Sequence, residues 1–356
     1  HKITPFIPRG PVKELDDKFV DLIGKFVSDI NNGKLRGSNN VALAMVTLLE
    51  TIIGESQNAT AYELMGLVRA AGRCVTAALP HQLAAGNVAR RVLRAIRDEN
   101  RASANQSGEA SGESLQRLVL ATGARRATLG AAHLDLREPL RDHIAELRTE
   151  LESSSSTICA AAAEHVHADE LILTYGAAPL AERFLRAAVG RRYKLILAEG
   201  PDVQESHAMA ARLSTAGVPV TVISSAAIYA VMSRVNKVVL SVSAALGGGA
   251  VLAAAGAHAV TNAAKHYCVP VLALAPLYKL CPVHASDATP FNALTSPATA
   301  LPYERHEVGS THVYAPMYDF APPDHITLFI TNLGGSSPSY MYRMLSELYD
   351  PNDFTL

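Results

Sequence analysis

At 356 residues the chain is long enough for two domains, each with a core of its own. Its 32 basic and 33 acidic residues leave a formal net charge of −1, and it has no Trp, which argues against a global positive field or base-stacking platforms for nucleic acid. The four cysteines, Cys74, Cys159, Cys268 and Cys281, form no CxxC pair and are read as structural thiols of a reducing compartment. No signal peptide and no run of about 18 apolar residues is visible, so a soluble, cytosolic chain without membrane contact is expected.

Pro5, Pro8 and Pro11 mark residues 1–12 as an irregular arm. From Leu15 onward Phe19, Ile23, Phe26 and Val27 fall on one helical face. Residues 31–40 read as a loop, and Val41 to Ile53 as the next helix. Thr60 followed by Glu63 spells a capping box, opening a helix striped by Ala61, Leu64, Met65 and Val68. Asn87 is read as the cap of a further helix over 87–99, with Val88, Val92 and Ile96 facing inward. The polar run 98–115 reads as a flexible insertion. Leu140, Ile144, Leu147 and Leu151 then recur at helical spacing within 137–167. The expected organisation is a helical domain over 1–135, a connecting helix over 136–168, and a second domain over 169–356.

From Glu170 the period changes. Apolar, largely β-branched runs at 171–174, 194–198, 218–223, 238–242, 270–275 and 326–331 predict strands. Helical lengths separate the first five, at 178–189, 203–216, 226–235 and 256–267. That alternation predicts an α/β fold with a Rossmann-like, doubly wound, mostly parallel sheet. The long Pro-rich connection 278–325 has the length of functional or interfacial loops.

Ligands of open α/β sheets bind at the carboxyl ends of the strands. Here the loop after the run at 238–242 offers only serine, alanine, leucine and glycine, with no carboxylate, thiol or base. Gly247 to Gly249 do not make a GxGxxG fingerprint, because Leu252 stands at the third position, and no Walker A sequence occurs. Neither a cofactor nor a metal is expected. His165 and His167 are spaced i, i+2, a poor metal pair and a better helix-end or interface pair. Gly334-Gly335 reads as a tight turn, with a phosphate cradle as the alternative. Arg90, Arg94 and Arg97 share one helical face, either a solvated surface or a dock for an acidic or phosphorylated partner.

Three passages carry a family resemblance: 35–99 (LRGSNNVALAMVTLLETIIGE and onward), 226–282 (AAIYAVMSRVNKVVLSVSAALGGG and onward), and the tail FAPPDHITLFITNLGGSSPSYMYRMLSELYDPNDFTL. They resemble the beta-type subunits of eukaryotic translation initiation factor 2B, over most of the chain apart from 98–135 and 282–310. The resemblance implies a non-catalytic regulatory subunit of the guanine-nucleotide exchange factor for initiation factor 2. The implied partners are the alpha, gamma, delta and epsilon subunits, epsilon carrying the exchange activity, and initiation factor 2 with its phosphorylated alpha subunit.

Sugar-phosphate isomerases share this superfamily. Gly176 stands where their catalytic cysteine is expected, and Ser243 where their aspartate is expected; only Glu199 keeps an acidic match. The pocket therefore lacks a group to move a proton between sugar carbons. The alternatives are an isomerase of that superfamily, or a metabolite-sensing module built on the emptied pocket.

Overall fold

Apolar residues at every third or fourth position make the amino-terminal part helical, and the computed structural model describes residues 16–56, 60–106, 137–284, 293–302 and 311–356. Helix α1 (Asp17–Asn31) buries Phe19, Ile23, Phe26, Val27 and Ile30. Helix α2 (Ser38–Glu55) begins directly after Gly37 and buries Met45, Leu49 and Ile52. At the start of α3 (Ala61–Ala78) the capping box is complete: Thr60 Oγ1 accepts the Glu63 N–H at 3.3 Å, and Glu63 Oε2 accepts the Thr60 N–H at 2.8 Å.

Two expectations change in α4 (Leu83–Gln106). It starts four residues before Asn87, which lies inside the helix, fully buried, its side-chain oxygen accepting from Arg90 at 3.2 Å. Gly86 lies within the helix at a close approach to α3, where a Cβ would stand 2.9 Å from the Thr76 methyl. The helix also runs on through 98–106, where the sequence predicts a flexible insertion. Asp98 lies at 3.4 Å from Arg94 and 3.5 Å from Arg101, helical-spacing pairs that support that extension. The rest of the expected insertion lies outside the described residues. Helix α5 (Arg137–Ala160) buries Leu140, Ile144, Leu147 and Leu151 as the spacing predicts.

After α6 (Ala162–His165) the chain alternates strand and helix. The strands are β1 (Leu171–Tyr175), β2 (Lys194–Ala198), β3 (Val220–Ile223), β4 (Lys237–Ser241), β7 (Val271–Leu274) and β10 (Leu328–Thr331). The helices between them are α7 (Pro179–Ala187), α8 (Val203–Thr215), α9 (Ile228–Met232) and α10 (Ala257–His266). With β11 (Gly334–Ser336) they form a seven-stranded sheet of order β11-β10-β7-β4-β1-β2-β3, parallel except for β11. The inner strands are apolar on both faces because helices cover both. Leu180, Phe184 and Leu185 of α7 and Met209 and Leu213 of α8 pack on Ile172, Leu195, Val239 and Leu272. Each such side chain contributes about 1.5–3 kcal/mol by leaving water.

A second sheet was not legible in the sequence. Strands β5 (Ala244–Leu246) and β6 (Val251–Ala254) make a hairpin around Gly247–Gly249, joined by β8 (Leu280–Cys281) and β9 (Tyr318–Ala321) in the order β8-β5-β6-β9. The triple glycine is thus a hairpin turn, and Gly334-Gly335 is part of an antiparallel edge strand leading to α11 (Met341–Leu348). Two compact units result: residues up to Glu152 together with Ser346–Leu356, and Ser153–Leu345.

Candidate functional site

The strand order turns around between β1 and β4, so the crevice for a ligand lies at their carboxyl ends. Tyr175, the last residue of β1, reaches across to β6 and donates its hydroxyl to Ala255 O at 2.6 Å. Burial, with help from Asp319, pushes that phenol up to about 12. Gly256 is shaped by this side chain: a Cβ there would stand 1.9 Å from the hydroxyl oxygen, and φ is +97°. Asp319 Oδ2 accepts the N–H groups of Gly256 at 2.8 Å and His258 at 3.2 Å. An internal carboxylate therefore occupies the anion-binding start of α10.

Gly176 follows with φ +63°, and its N–H donates to Ala198 O at 2.8 Å. Its backbone touches that of Gly200, where an added Cβ would lie 2.6 Å from Gly176 Cα. Glu199 does not face an open pocket alone, because its Oε1 pairs with His207 Nε2 at 2.7 Å. Ser243 is hydrogen-bonded to the Tyr318 side chain, and burial raises that phenol in spite of the serine. Lys279 is buried, donating to Val242 O at 2.8 Å, and desolvation lowers its ammonium to about 8. The sequence did not single out Tyr175, Asp319 or Lys279, whose hydrogen bonds to Ala255, Gly256 and Val242 lie around these positions.

The arginine face of α4 lies in the helical unit, and its environment corrects the expectation of a free surface. Arg90 is 6% exposed, its Nε donating to Asp353 O at 3.2 Å and Phe354 O at 3.3 Å. Arg97 places Nη2 2.9 Å from Asp353 Oδ1 and Nη1 2.7 Å from Asp350 Oδ1. Arg69 of α3 adds a third guanidinium, 2.8 Å from the same Asp353 oxygen. Arg94 is half-engaged, with Asp98 at 3.4 Å and the carbonyls of Ser346 and Glu347. The carboxylates that satisfy this face come from the tail of the chain itself, some 250 residues on. Arg91, beside them, is held by Glu150 in a fork at 2.8 and 2.7 Å.

His165 and His167 do not converge on a common ligand. The carbonyl of His165 accepts from Lys237, and burial lowers its imidazole below the usual range. His167 is exposed, and its backbone N–H donates to Glu170 Oε2 at 2.9 Å. Among the described residues no three His, Cys, Asp or Glu side chains gather as for a metal ion.

The initiation factor 2 subunit family matches over residues 34–338. Translation initiation factor eIF2B subunit beta of Schizosaccharomyces pombe is 33% identical, over 94% of this chain and 97% of its own length. The Dictyostelium discoideum protein of the same name is 40% identical over 61% of this chain and 57% of its own. The crystal structure of eIF2B beta from Chaetomium thermophilum superposes with a TM-score of 0.73 at 25% identity, over 97% of this chain and 96% of that one. A chain of the tetrameric eIF2B-beta2-delta2 complex from C. thermophilum superposes with a TM-score of 0.71 at 26% identity, over 97% of this chain and all of that one. With these matches along nearly its whole length, the chain belongs to the initiation factor 2 subunit family, among its beta-type members.

Proposed function

We propose that the chain acts as the beta-type regulatory subunit of the guanine-nucleotide exchange factor for translation initiation factor 2, and that it performs no catalytic step. The observation that carries this reading is the end-to-end match to a beta subunit at 33% identity. The crevice supports it: Gly176 and Ser243 supply neither a thiol nor a carboxylate, and Tyr175 and Asp319 take up its donors and space. The same filling speaks against a metabolite pocket and against an isomerase. The nearest partner is a delta-type subunit, as in the beta2-delta2 complex of the C. thermophilum relative. Alpha, gamma and epsilon subunits complete the assembly in the cytoplasm, and initiation factor 2, including its phosphorylated alpha subunit, is what the assembly reads. No nucleic acid or membrane contact belongs to this role; among the described residues no helix is long and apolar enough to cross a membrane.

The test is purification of the tagged endogenous chain at moderate salt, with mass-spectrometric identification of what stays bound. The four other subunits are expected in fixed ratio, and the purified assembly should release guanine nucleotide from initiation factor 2. Recovery of the chain without a delta-type subunit overturns the reading.

A further inference from the structure

The basic face on α4 is consumed within the chain, yet a second basic segment is not. Between Arg183 and Lys194 the sequence reads RFLRAAVGRRYK, five cations and no acid, in a chain whose net charge is −1. Helix α7 turns Leu180, Ala181, Phe184 and Leu185 inward, which leaves Arg183 and Arg186 exposed. A short turn, Val189–Arg191, and a left-handed Arg192 then lead into Lys194 at the start of β2, all three basic side chains exposed. The segment is held in shape from beneath, since buried Tyr193 donates its hydroxyl to Leu185 O at 2.7 Å.

Two neighbouring acids are committed elsewhere. Glu182 is forked by Arg212 at 3.0 and 2.9 Å. Glu170, whose carbonyl accepts the Lys194 N–H at 2.8 Å, has its carboxylate on Lys237 at 3.1 and 3.2 Å. None of the five cations is ion-paired among the described residues.

We propose that the Arg183–Lys194 segment docks an acidic segment of a partner protein. Four of its five cations are arginines, whose planar forks suit carboxylates, and the pinned turn keeps them in register. Nucleic acid fits less well. Both aromatic residues of the segment, Phe184 and Tyr193, are buried, so nothing stands ready to stack a base. A polyanion would also run past the patch onto a surface with no net positive charge, whereas a short acidic segment presents its charge only where the cations are. The proposal stands on this surface and not on the subunit reading.

The test uses the full chain and two labelled probes, an oligoglutamate peptide and an RNA oligonucleotide of equal length. Fluorescence anisotropy is read at about 50 and about 200 mM salt, where surface charges are progressively screened. The variant Arg186→Ala/Arg191→Ala/Arg192→Ala is compared with Lys18→Ala/Lys25→Ala/Arg141→Ala, which removes equal charge from the helical unit. Circular dichroism checks that both remain folded. The peptide is expected to bind in a salt-sensitive way and to weaken about tenfold or more in the first variant, since several surface contacts act together. The second variant should stay within about twofold of the parent. No peptide binding, equal loss in both variants, or tighter and patch-dependent binding of the RNA each overturns the proposal.

Discussion

Replacing Asp353 with alanine removes a carboxylate that two guanidiniums share, Arg69 at 2.8 Å and Arg97 at 2.9 Å, at a position with no solvent exposure. Breaking a buried pair from one side costs about 3–5 kcal/mol. Two features reduce that figure here. Arg69 keeps 28% of its side chain exposed and can turn to water, and Asp353 Oδ2 has no hydrogen-bond partner among the described residues, a native cost that the variant no longer carries. The expected loss is therefore about 2–3 kcal/mol, and Asp353→Asn, which keeps one accepting oxygen, should lose about half as much. A cycle with Arg97→Ala should return a coupling of about 1–2 kcal/mol. Because the chain has two compact units, a single global transition is a poor measure. Hydrogen exchange of the amides in α4 and in 346–356, read by mass spectrometry under rising urea, isolates the helical unit. A loss below about 0.5 kcal/mol with no coupling refutes the argument that these ion pairs hold the tail. Asp350 adds a pH arm. Burial pushes its carboxyl up, but the Asn352 N–H and Arg97 outweigh this and lower it. Its stabilisation is thus complete above the unfolded value near 4 and fades as the pH falls through the lower folded value, so tail protection should decline only in that acidic range.

Three further outcomes are expected. Gly256→Ala places a methyl 1.9 Å from the Tyr175 oxygen at φ +97°, and should cost about 3 kcal/mol or more in the sheet unit, part of it recovered by adding Tyr175→Ala. Equal stability of parent and variant in urea, followed by a probe in that unit, would disprove the close contact. Gly176→Cys should yield no turnover of ribose 1,5-bisphosphate or methylthioribose 1-phosphate and should destabilise by about 1–2 kcal/mol, because φ is +63° and Gly200 Cα lies 3.3 Å from the new Cβ; product seen by mass spectrometry contradicts this. Lys279, held at about 8 against 10.5, penalises the fold while it is charged. Stability should rise from pH 8 towards 10, by up to about 3 kcal/mol, and fall above 10 as unfolded tyrosines ionise ahead of the buried Tyr175 and Tyr278. Lys279→Met should abolish the rise, and a rise that persists in that variant assigns it elsewhere.

What the sequence revealed follows from where its signals are local. The inner strands announced themselves because both faces of a parallel sheet are buried there, which leaves uninterrupted runs such as Leu171-Ile172-Leu173, whereas β3, at the sheet edge with Thr221 and Val222 exposed, showed through its β-branched run Val220 to Ile223. Strands β5 and β6 did not, since Ala244-Ala245 and Ala253-Ala254 have little β preference and pair through a hairpin rather than a crossover. Asn87 carried the residue type of a cap, but the helix had already begun after Pro80, and the close approach of Gly86 to Thr76 is not visible in the sequence. The helical spacing of Arg90, Arg94 and Arg97 was read correctly and their surroundings were not. Asp350 and Asp353 both converge on Arg97, and Arg90 meets backbone carbonyls of the tail, contacts some 250 residues apart that no local spacing could signal. Tyr175 was visible in the sequence beside Gly176, yet its reach to Ala255 depends on Gly256, at the start of α10 some 80 residues on.

The tail clasp also fixes an order of events in synthesis. The helical unit takes its lid from Ser346–Leu356, which reaches the ribosomal exit only after the whole of Ser153–Leu345 has been made. Domains ordinarily complete themselves in the direction of translation. Here the later-made sheet unit can close first, while the earlier-made helices wait with Arg69, Arg90 and Arg97 unmatched. Nascent chains released short of residue 350 would present these arginines, without their tail partners, to whatever acidic surface is nearby.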